Sequence, residues 1–358
     1  MTGFPGFLGS ALLPRLLARG DDERVLALVQ AQHLETARHR IAEIEAAHPH
    51  TRDRISLVEG DLTRPGFGVG VADLDALAEV DVVWHLAAVY DLAVPAALAH
   101  RVNVDGTARV LEFCKSRPHL ERLHHVSTCY VSGRFDGVFT EDDLSEGQPF
   151  RNHYESTKYD AEVLVHKAMA DGLPATVYRP GIVVGDSVTG ETQKYDGPYF
   201  LATFLRRQLS IAVVPAVGPA DEVRVCLVPR DFVVDAMDRL SATEKSIGRT
   251  YALTDPEPPT VREVVETFAR HLGKKVVWVP LPLGATHAAV EKIPGMERLL
   301  GLPAEALDYF ASPTSYATDH TTEDLAGTGL VCPRFADYAP RLLDFMVDHP
   351  EIASAAMV

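Results

Sequence analysis

Three residues between positions 128 and 158 have the types and the spacing needed to reduce a carbonyl group. A carbonyl that accepts a hydride gains negative charge on its oxygen, so a proton donor must lie beside it. Tyr154 can donate that proton, and Lys158, four residues later on a predicted helix, shares its face and favours the phenolate. Thr128, which follows a predicted strand over 123–127, can hold the oxygen from the other side, with Ser127 as the alternative hydroxyl.

The chain opens with a glycine-rich turn that predicts dinucleotide binding. Gly3, Gly6 and Gly9 form a G-x-x-G-x-x-G pattern, and an apolar helix is predicted over 7–18. The glycines permit a tight turn with close backbone approach to a pyrophosphate, whose charge the helix N-terminus favours. A strand normally precedes such a turn and lies in the centre of the sheet. We therefore expect the natural chain to begin upstream of Met1.

Strands and helices alternate along the first half of the chain. Buried strands are predicted at 24–30, 55–62, 81–91, 123–127 and 176–185. Helices are predicted at 94–116, at 153–170, in the apolar 194–210 segment, from Thr260 onward and around 337–348. This order predicts an α/β fold, a Rossmann-type doubly wound parallel sheet with a smaller mixed α/β C-terminal lobe. We expect a cofactor-binding domain at 1–185 and a substrate-binding lobe at 186–358, interleaved with the sheet.

The strand after the glycine turn ends where such folds distinguish NAD from NADP. An acidic residue there would bind the adenosine ribose 2′-hydroxyl of NAD, whereas basic residues would bind the 2′-phosphate of NADP. The chain has Gln30 at this point, and the following helix carries Arg38 and Arg40. A solvated helix face is the alternative interpretation of these arginines. The pattern favours NADP(H) over NAD(H), and Asp61, at the end of the next strand, is placed to bind the adenine amino group.

Composition and charge exclude several classes of function. The chain has 358 residues, 46% hydrophobic, and a formal charge of 34 − 50 = −16. This acidic balance argues against nucleic acid and anionic membranes as partners. No apolar run reaches the ~20 residues of a membrane span, and no signal peptide is recognisable, so we expect a cytoplasmic protein.

The cysteines and histidines give no metal-site pattern. The four cysteines are widely scattered, and no C-x-x-C or H-E-x-x-H spacing occurs, so neither a zinc site nor a disulfide framework is predicted. His124 and His125 are adjacent on a strand and must point to opposite faces, while His85 is expected to be a hydrogen-bonded core residue. Cys129 is interpreted as a small strand residue rather than a nucleophile, because nothing nearby in sequence could activate it.

Several short motifs together resemble the extended short-chain dehydrogenase/reductases. They are T-G-F-P-G-F-L-G (2–9), G-D-L (60–62), H-L-A-A (85–88), N-V-D-G-T (103–107), V-S-T-C-Y-V-S-G (126–133), Y-E-S-T-K (154–158) and R-P-G (179–181). The closer likeness is to the branch of fatty acyl-CoA reductases, male sterility proteins and thioester reductase domains. That branch also has a K-Y-D-G-like segment, here Lys194–Gly197, and often an arginine where this chain has Gln30.

The resemblance implies roles for particular residues. It implies catalysis by Thr128, Tyr154 and Lys158, with Lys158 also on the nicotinamide ribose. The positions it implies for cofactor binding are Gly3, Phe4, Gly6, Phe7, Leu8, Gly9, Arg40, Asp61, Leu62, Ala87, Ala88, Asn103, Pro180, Gly181 and Ile182.

The resemblance implies an NADP(H)-dependent reductase of an acyl thioester, on CoA or a carrier, or of an aldehyde. A homodimer is the assembly that we consider for it. The apolar 279–312 stretch and the aromatic residues of 195–205 would suit a lipid-like tail, and core packing is the alternative. A dehydrogenase of sterols or other alcohols and a sugar-nucleotide epimerase are rival hypotheses on the same scaffold. A dehydratase is disfavoured because Cys129 and Tyr130 follow Thr128 where an acidic pair is typical. A non-catalytic cofactor sensor would be expected to lack the triad, which this chain has.

Overall fold

A computed structural model gives the architecture of the protein for residues 1–90, 94–281, 309 and 312–352. The N-terminal half contains the elements α1 (Phe7–Leu17), β1 (Val25–Val29), α2 (Leu34–Ala47), β2 (Ile55–Glu59), α3 (Val71–Ala78), β3 (Val82–His85), α4 (Ala96–Ala99), α5 (Gly106–Lys115), β4 (Arg122–Val126), β5 (Gly137–Phe139), α6 (His153–Ala170) and β6 (Ala175–Pro180). The rest of the described chain contains β7 (Ile182–Val184), α7 (Pro198–Arg207), β8 (Ile211–Val217), β9 (Leu227–Pro229), α8 (Arg230–Ser241), β10 (Thr250–Leu253), α9 (Val261–His271), β11 (Lys275–Leu281), β12 (Thr314–Tyr316), α10 (Asp319–Leu325) and α11 (Phe335–Asp348).

The main sheet is parallel, and helices pack against it, as the strand–helix alternation predicts. One part has the strand order β10-β6-β4-β3 and the other pairs β1 with β2. The α/β Rossmann-type prediction is therefore confirmed. The outer strand β10 comes from beyond residue 185, so the C-terminal half of the chain contributes to the sheet that the N-terminal half builds.

Thr2 joins the two parts of this sheet. It forms parallel bridges to Leu28 of β1 on one side and to His85 of β3 on the other. The Thr2 N–H donates to the Trp84 carbonyl at 2.8 Å, and the N–H of Leu28 donates to the Met1 carbonyl at 2.9 Å. The first two residues thus occupy the position of a central strand, and the glycine turn leaves the sheet at its carboxyl edge.

Two predicted elements are interrupted in the structure. The helix predicted over 94–116 consists of α4, a π-helical segment at His100–Asp105 and α5. The strand predicted over 176–185 divides at Gly181 into β6, which pairs with β4, and β7, which pairs with β9. A Cβ on Gly181 would lie 2.4 Å from the Cys226 carbonyl oxygen. Only glycine therefore allows the backbone segments at Gly181 and Cys226 to pass so close to each other.

The helix that carries Tyr154 and Lys158 begins at a defined cap. The Asn152 side chain accepts a hydrogen bond of 3.0 Å from the backbone N–H of Glu155, which satisfies one of the free donors of the first turn. Thr260 and Glu263 form a reciprocal capping box at the start of α9, where the sequence predicts a helix start.

The C-terminal half has its own hydrophobic core, formed by buried residues of α7, α9 and α11 with β8. Tyr195, Tyr199 and Phe204 belong to it and are less than 10% exposed. These three aromatic residues of the 195–205 segment therefore serve core packing, the alternative to a lipid-binding role, whereas Phe200 is half-buried and lies outside this core. Most of the apolar 279–312 stretch lies outside the described residues. Within the described ranges, no helix has the length and apolar character needed to cross a bilayer.

Candidate active site

The end of β4 and the start of α6 bring Thr128 and Tyr154 together. Thr128 is buried in extended backbone two residues beyond β4, and its hydroxyl lies within hydrogen-bonding reach of the Tyr154 phenol. The same hydroxyl accepts a hydrogen bond of 3.3 Å from the Tyr130 N–H. Tyr154 is partly exposed as a whole residue, but its phenol is buried beside the Thr128 hydroxyl, so a carbonyl oxygen that reaches one hydroxyl also meets the other.

Lys158 lies one turn further along α6, inside the protein. Its ammonium group donates a hydrogen bond of 2.8 Å to the carbonyl of Val126, the last residue of β4. Burial lowers the pKa of Lys158 to about 8, and the nearby Glu162 carboxylate opposes this fall. Lys158 is therefore still largely an ammonium at neutral pH, although it loses its proton far more easily than an exposed lysine.

The pKa of Tyr154 differs from the sequence expectation. Burial raises it to about 12, and the hydrogen bond with Thr128 only partly offsets this effect. We expected the Lys158 charge to lower it. The Lys158 ammonium is bonded to the Val126 carbonyl, and the cost of burying a phenolate dominates the pKa of Tyr154.

The two adjacent hydroxyls after β4 have separate partners. The Ser127 hydroxyl donates a short hydrogen bond to the Glu162 carboxylate, whereas that of Thr128 faces Tyr154. Glu162 is fully buried, and its carboxylate also accepts hydrogen bonds from the Arg179 guanidinium. Sequence reasoning missed both of these residues. The available signal was the position of Glu162, four residues beyond Lys158, and an arginine directly before Pro180.

The glycine turn is packed so closely that side chains cannot be added. Gly3 has φ +84, and a Cβ there would lie 2.8 Å from the Ala87 nitrogen. Cβ atoms on Gly6 and Gly9 would lie 2.7 and 2.8 Å from the Gly3 carbonyl oxygen. The three glycines thus let the turn fold onto itself and onto the end of β3, which places the N-terminus of α1 at the carboxyl edge of the sheet.

The N-terminus of α1 fits a pyrophosphate. The Ser10 N–H is bonded to the Gly6 carbonyl, and among the described residues no side chain caps this helix. The first-turn N–H groups of Phe7, Leu8 and Gly9 are those that a helix leaves available for an anion. The Phe7 ring lies under the guanidinium of Arg230, 5.0 Å from its centroid. Phe4, by contrast, is buried in the core between α1, α2 and β1.

The ends of β1 and β2 form the predicted adenosine region. Gln30 follows β1 and its side chain is hydrogen-bonded to Asp61, which follows β2. Burial alone would raise the pKa of Asp61, but hydrogen bonds from Thr63, the charge of Arg64 and the bond with Gln30 lower it overall. Asp61 is therefore a carboxylate that can accept from an amino group. Leu62 is buried against Gly106.

Arg40 lies on α2, the helix after β1. Its guanidinium is 2.9 Å from the Glu43 carboxylate, one turn further along the helix. The ion pair matches the alternative interpretation of this arginine as part of a solvated helix face, and a 2′-phosphate would have to compete with Glu43 for it.

The segment after β3 connects the glycine turn to α6. Ala87 and Ala88 are partly buried, and the Ala87 N–H donates to the Thr2 hydroxyl at 3.2 Å. The side chain of Asn103 is buried and bonds to both backbone groups of Val89, and its amide nitrogen donates to the Thr157 hydroxyl at 3.0 Å. Asn103 thus fixes the backbone beside the cofactor region rather than projecting into it.

His85 is a hydrogen-bonded core residue, as predicted. Its Nδ1 lies 2.8 Å from the Thr2 hydroxyl and its Nε2 lies 3.0 Å from that of Thr107. The Thr107 hydroxyl donates to the Asn103 carbonyl, so it accepts from Nε2–H of the histidine. Burial lowers the pKa of His85 to about 3, which keeps it neutral. His124 and His125 do face opposite sides: His124 stacks on Trp84 and His125 lies beside His85.

The expected nicotinamide end lies where β6 passes Thr128. The Thr128 hydroxyl donates to the Pro180 carbonyl at 3.5 Å. Gly181 and Ile182 follow, and the Ile182 N–H donates to the Cys226 carbonyl at 2.8 Å. Pro180 therefore borders Thr128, and Gly181 and Ile182 follow it directly along the chain.

Cys129 has the properties of a structural residue. It is completely buried, and its thiol donates to the Arg179 carbonyl at 2.9 Å. Burial raises the pKa of this thiol well above its usual range, the reverse of what a thiolate nucleophile requires.

A tyrosine from the loop after β3 and a lysine from the loop after β7 contact each other near Tyr154. The Lys194 ammonium lies 4.7 Å from the centroid of the Tyr90 ring, and Tyr90 is close enough to Tyr154 to affect its pKa. Lys194 begins the K-Y-D-G segment, which precedes α7. The loops after β3 and after β7 therefore contact each other near Tyr154. Among the described residues, no group of three or more histidine, cysteine or acidic side chains is arranged to hold a metal ion.

Comparison with known proteins identifies a matching family and relatives. The family model described as male sterility protein matches residues 1–237. A nonribosomal peptide synthetase of Aspergillus flavus is 29% identical over 281 residues, which is 75% of this chain and 27% of that protein. An aldehyde reductase of the same fungus is 28% identical and matches 72% of this chain and 25% of its own length. The chain thus spans about a quarter of these two relatives.

A solved structure gives a likeness over nearly the whole chain. The crystal structure of the terminal R domain from the myxalamid PKS-NRPS biosynthetic pathway is 27% identical and superposes with a TM-score of 0.83. The match covers 98% of this chain and 90% of that domain.

Proposed function

We propose a substrate class for this chain, which belongs to the male sterility protein family of extended short-chain dehydrogenase/reductases and is a reductase of that type. The proposed substrate is an acyl thioester, a fatty acyl group on CoA or on a carrier protein. The corresponding aldehyde is the second proposed substrate. The observation that carries the proposal is the meeting of the Thr128 hydroxyl with the Tyr154 phenol at the carboxyl end of β4, next to a helix N-terminus suited to a pyrophosphate.

The chain's own residues divide the work at the carbonyl. When bound, the nicotinamide cofactor supplies a hydride to the carbonyl carbon. The Thr128 and Tyr154 hydroxyls hold the carbonyl oxygen, and Tyr154 gives it a proton as negative charge develops. The Lys158 ammonium stabilises the phenolate that remains. A thioester becomes a hemithioacetal, which breaks its C–S bond to release an aldehyde and a thiol, and a second reduction would give an alcohol.

The relatives support this substrate class. One is an aldehyde reductase, one is a nonribosomal peptide synthetase, and the similar solved structure is a terminal reductase domain of a PKS-NRPS pathway. A thioester carbonyl is a group on which the Thr128–Tyr154 pair of this chain would act, as the resemblance to thioester reductase domains implies. We propose residues 1–185 as the cofactor-binding domain and residues 186–358 as the lobe that recognises the acyl group.

We propose NADP(H) as the preferred cofactor. The adenosine region has no acidic residue at the end of β1, because Gln30 stands there, and α2 carries Arg38 and Arg40. An uncharged Gln30 bonded to Asp61 does not repel a 2′-phosphate as an acidic residue would.

Product analysis under turnover tests the proposed function. Purified protein would be incubated with NADPH and an acyl-CoA, with a hydrazine reagent present to trap aldehyde. We expect one thiol to be released for each aldehyde trapped. If the enzyme also reduces the aldehyde, alcohol should accumulate in place of aldehyde when the trap is omitted. Turnover of a sugar nucleotide or a sterol, with none of the thioesters or aldehydes, would contradict it.

A further inference from the structure

Glu162 is a buried carboxylate on α6, between the end of β4 and strand β6. It lies one helical turn beyond Lys158 on α6, and its side chain has no exposed area. A carboxylate in such a place must be compensated, because an isolated buried charge is strongly unfavourable.

Three elements supply that compensation. Ser127, directly after β4, donates its hydroxyl to one carboxylate oxygen. Arg179 of β6 donates to the other oxygen from Nε at 2.8 Å and from Nη2 at 2.6 Å. The same guanidinium donates to the carbonyls of Thr140 and Asp143, at 3.2 and 2.8 Å. Glu162 thus connects α6, the end of β4, β6 and the loop after β5.

We infer that Glu162 is a positioning residue for the proposed reduction: its carboxylate fixes the end of β4 against α6 and keeps Lys158 in the ammonium form. This inference rests on the proposed function. Ser127 precedes Thr128, and Lys158 follows Tyr154 by one turn, so a single carboxylate holds both halves of the site in register. It touches neither substrate nor reacting atoms.

The charges around Lys158 leave Glu162 as the group that favours its proton. His125 of β4 and His85 of β3 face Lys158, and burial keeps the pKa of both below the usual range, so they are neutral at pH 7. His166, further along α6, lies 3.3 Å from Glu162. Burial opposes ionisation of Glu162, but Arg179, His166 and Ser127 more than compensate and lower its pKa.

The test measures the affinity for NADPH from pH 6 to 10, by the fluorescence of the bound nicotinamide, in the full chain and in Glu162→Gln. An ammonium on the nicotinamide ribose favours binding, so wild-type affinity should fall with a midpoint near the Lys158 pKa of about 8. Glutamine keeps the shape and an acceptor oxygen but removes the charge. We expect the midpoint to move down by about one pH unit or more.

Glu141→Gln is the matched control. Glu141 is also a buried carboxylate, but it accepts from the N–H groups of Ala252 and Thr321, on the far side of β6. The Glu141→Gln variant should be less stable than the wild type. Its NADPH affinity should fall with pH at the same midpoint as that of the wild type. An unchanged midpoint in Glu162→Gln, with affinity reduced equally at every pH, would overturn the inference and leave a structural role only.

A second variant covers the case in which Glu162→Gln does not fold. Glu162→Asp keeps the charge, so its midpoint should stay near that of the wild type, and a fall of about one unit would overturn the inference. Because cofactor binding needs no acyl substrate, a shifted midpoint in a protein that reduces no thioester would retain the inference and reject the proposed substrate.

Discussion

The Lys158 ammonium donates a hydrogen bond of 2.8 Å to the carbonyl of Val126, two residues before Thr128. This bond ties the lysine of α6 to the last residue of β4. The helix α6 and the end of β4 are therefore joined directly, and also through the Ser127–Glu162 contact. The geometry leads to the following predictions.

Replacing Tyr154 with phenylalanine should remove the proton donor and leave the fold intact. We expect the turnover number to fall by a factor of about 10² to 10⁴, the usual contribution of a general acid. Affinity for NADPH should change little, since Tyr154 is not among the groups proposed to bind the pyrophosphate. Steady-state kinetics and cofactor fluorescence measure the two quantities, and unchanged turnover would rule out Tyr154 as the donor.

Activity should decrease as the pH rises through about 8. Burial lowers the pKa of Lys158 to about 8, so the ammonium is present below that pH and is lost above it. Since the pKa of Tyr154 is about 12, its own proton is retained throughout this range. A profile of kcat/KM between pH 6 and 10 should show this single fall, and a flat profile up to pH 10 would contradict the role of Lys158.

Gly3→Ala should weaken both stability and cofactor binding. The residue has φ +84, and an added Cβ would lie 2.8 Å from the Ala87 nitrogen, so we expect a loss of about 1–3 kcal/mol in the free energy of unfolding. Gly172 gives a matched control, since it has φ +98 with no described atom within 4 Å of an added Cβ. Gly172→Ala should lower the melting temperature but leave the NADPH dissociation constant unchanged. Equal effects of both variants on NADPH binding would argue against the phosphate turn.

Gln30→Arg should strengthen the preference for NADPH over NADH. A guanidinium at the end of β1 would bond a 2′-phosphate, and one charge-assisted hydrogen bond contributes about 1.5–3 kcal/mol, or roughly tenfold or more in affinity. Gln32→Arg introduces the same charge two residues away and should have a much smaller effect. The preference is measured as the ratio of kcat/KM for NADPH to that for NADH. An unchanged ratio in Gln30→Arg would mean that the 2′-phosphate does not bind beside residue 30.

Cys129→Ser should retain most of the activity. The Cys129 thiol donates to the Arg179 carbonyl, and a serine hydroxyl can replace that hydrogen bond. Burial keeps the thiol protonated, so no covalent step should depend on it. Loss of turnover by a factor of more than about 10² in a variant that binds NADPH normally would revive the nucleophile hypothesis.

Much of the fold could be predicted from local patterns. The alternation of apolar strands and helices predicts the parallel sheet, and Asn152 and Thr260 mark helix starts that the structure contains. The Pro180-Gly181 pair indicates a turn, but the break in 94–116 and the reason for the break at Gly181 could not be predicted in this way. The approach of the Cys226 backbone to Gly181 is a contact between distant parts of the chain, which periodicity does not encode.

The site shows the same division between local and distant information. The spacing of Tyr154 and Lys158 along a helix is local, so sequence alone predicts their shared face. The pKa of Tyr154 depends on how deeply its phenol is buried, and the role of Glu162 depends on Arg179 from another strand. Burial and partners of this kind are set by tertiary packing, and the structure was needed to find them.

Thioester reduction by this protein can be measured as NADPH consumption with a panel of acyl-CoA thioesters and the matching aldehydes, with NADH in parallel and Tyr154→Phe as the control. The account predicts turnover of thioesters by the wild type, faster with NADPH than with NADH, and its near loss in the variant. Turnover of aldehydes alone would make the protein a carbonyl or alcohol oxidoreductase. No turnover of either class by a protein that still binds NADPH would contradict the account.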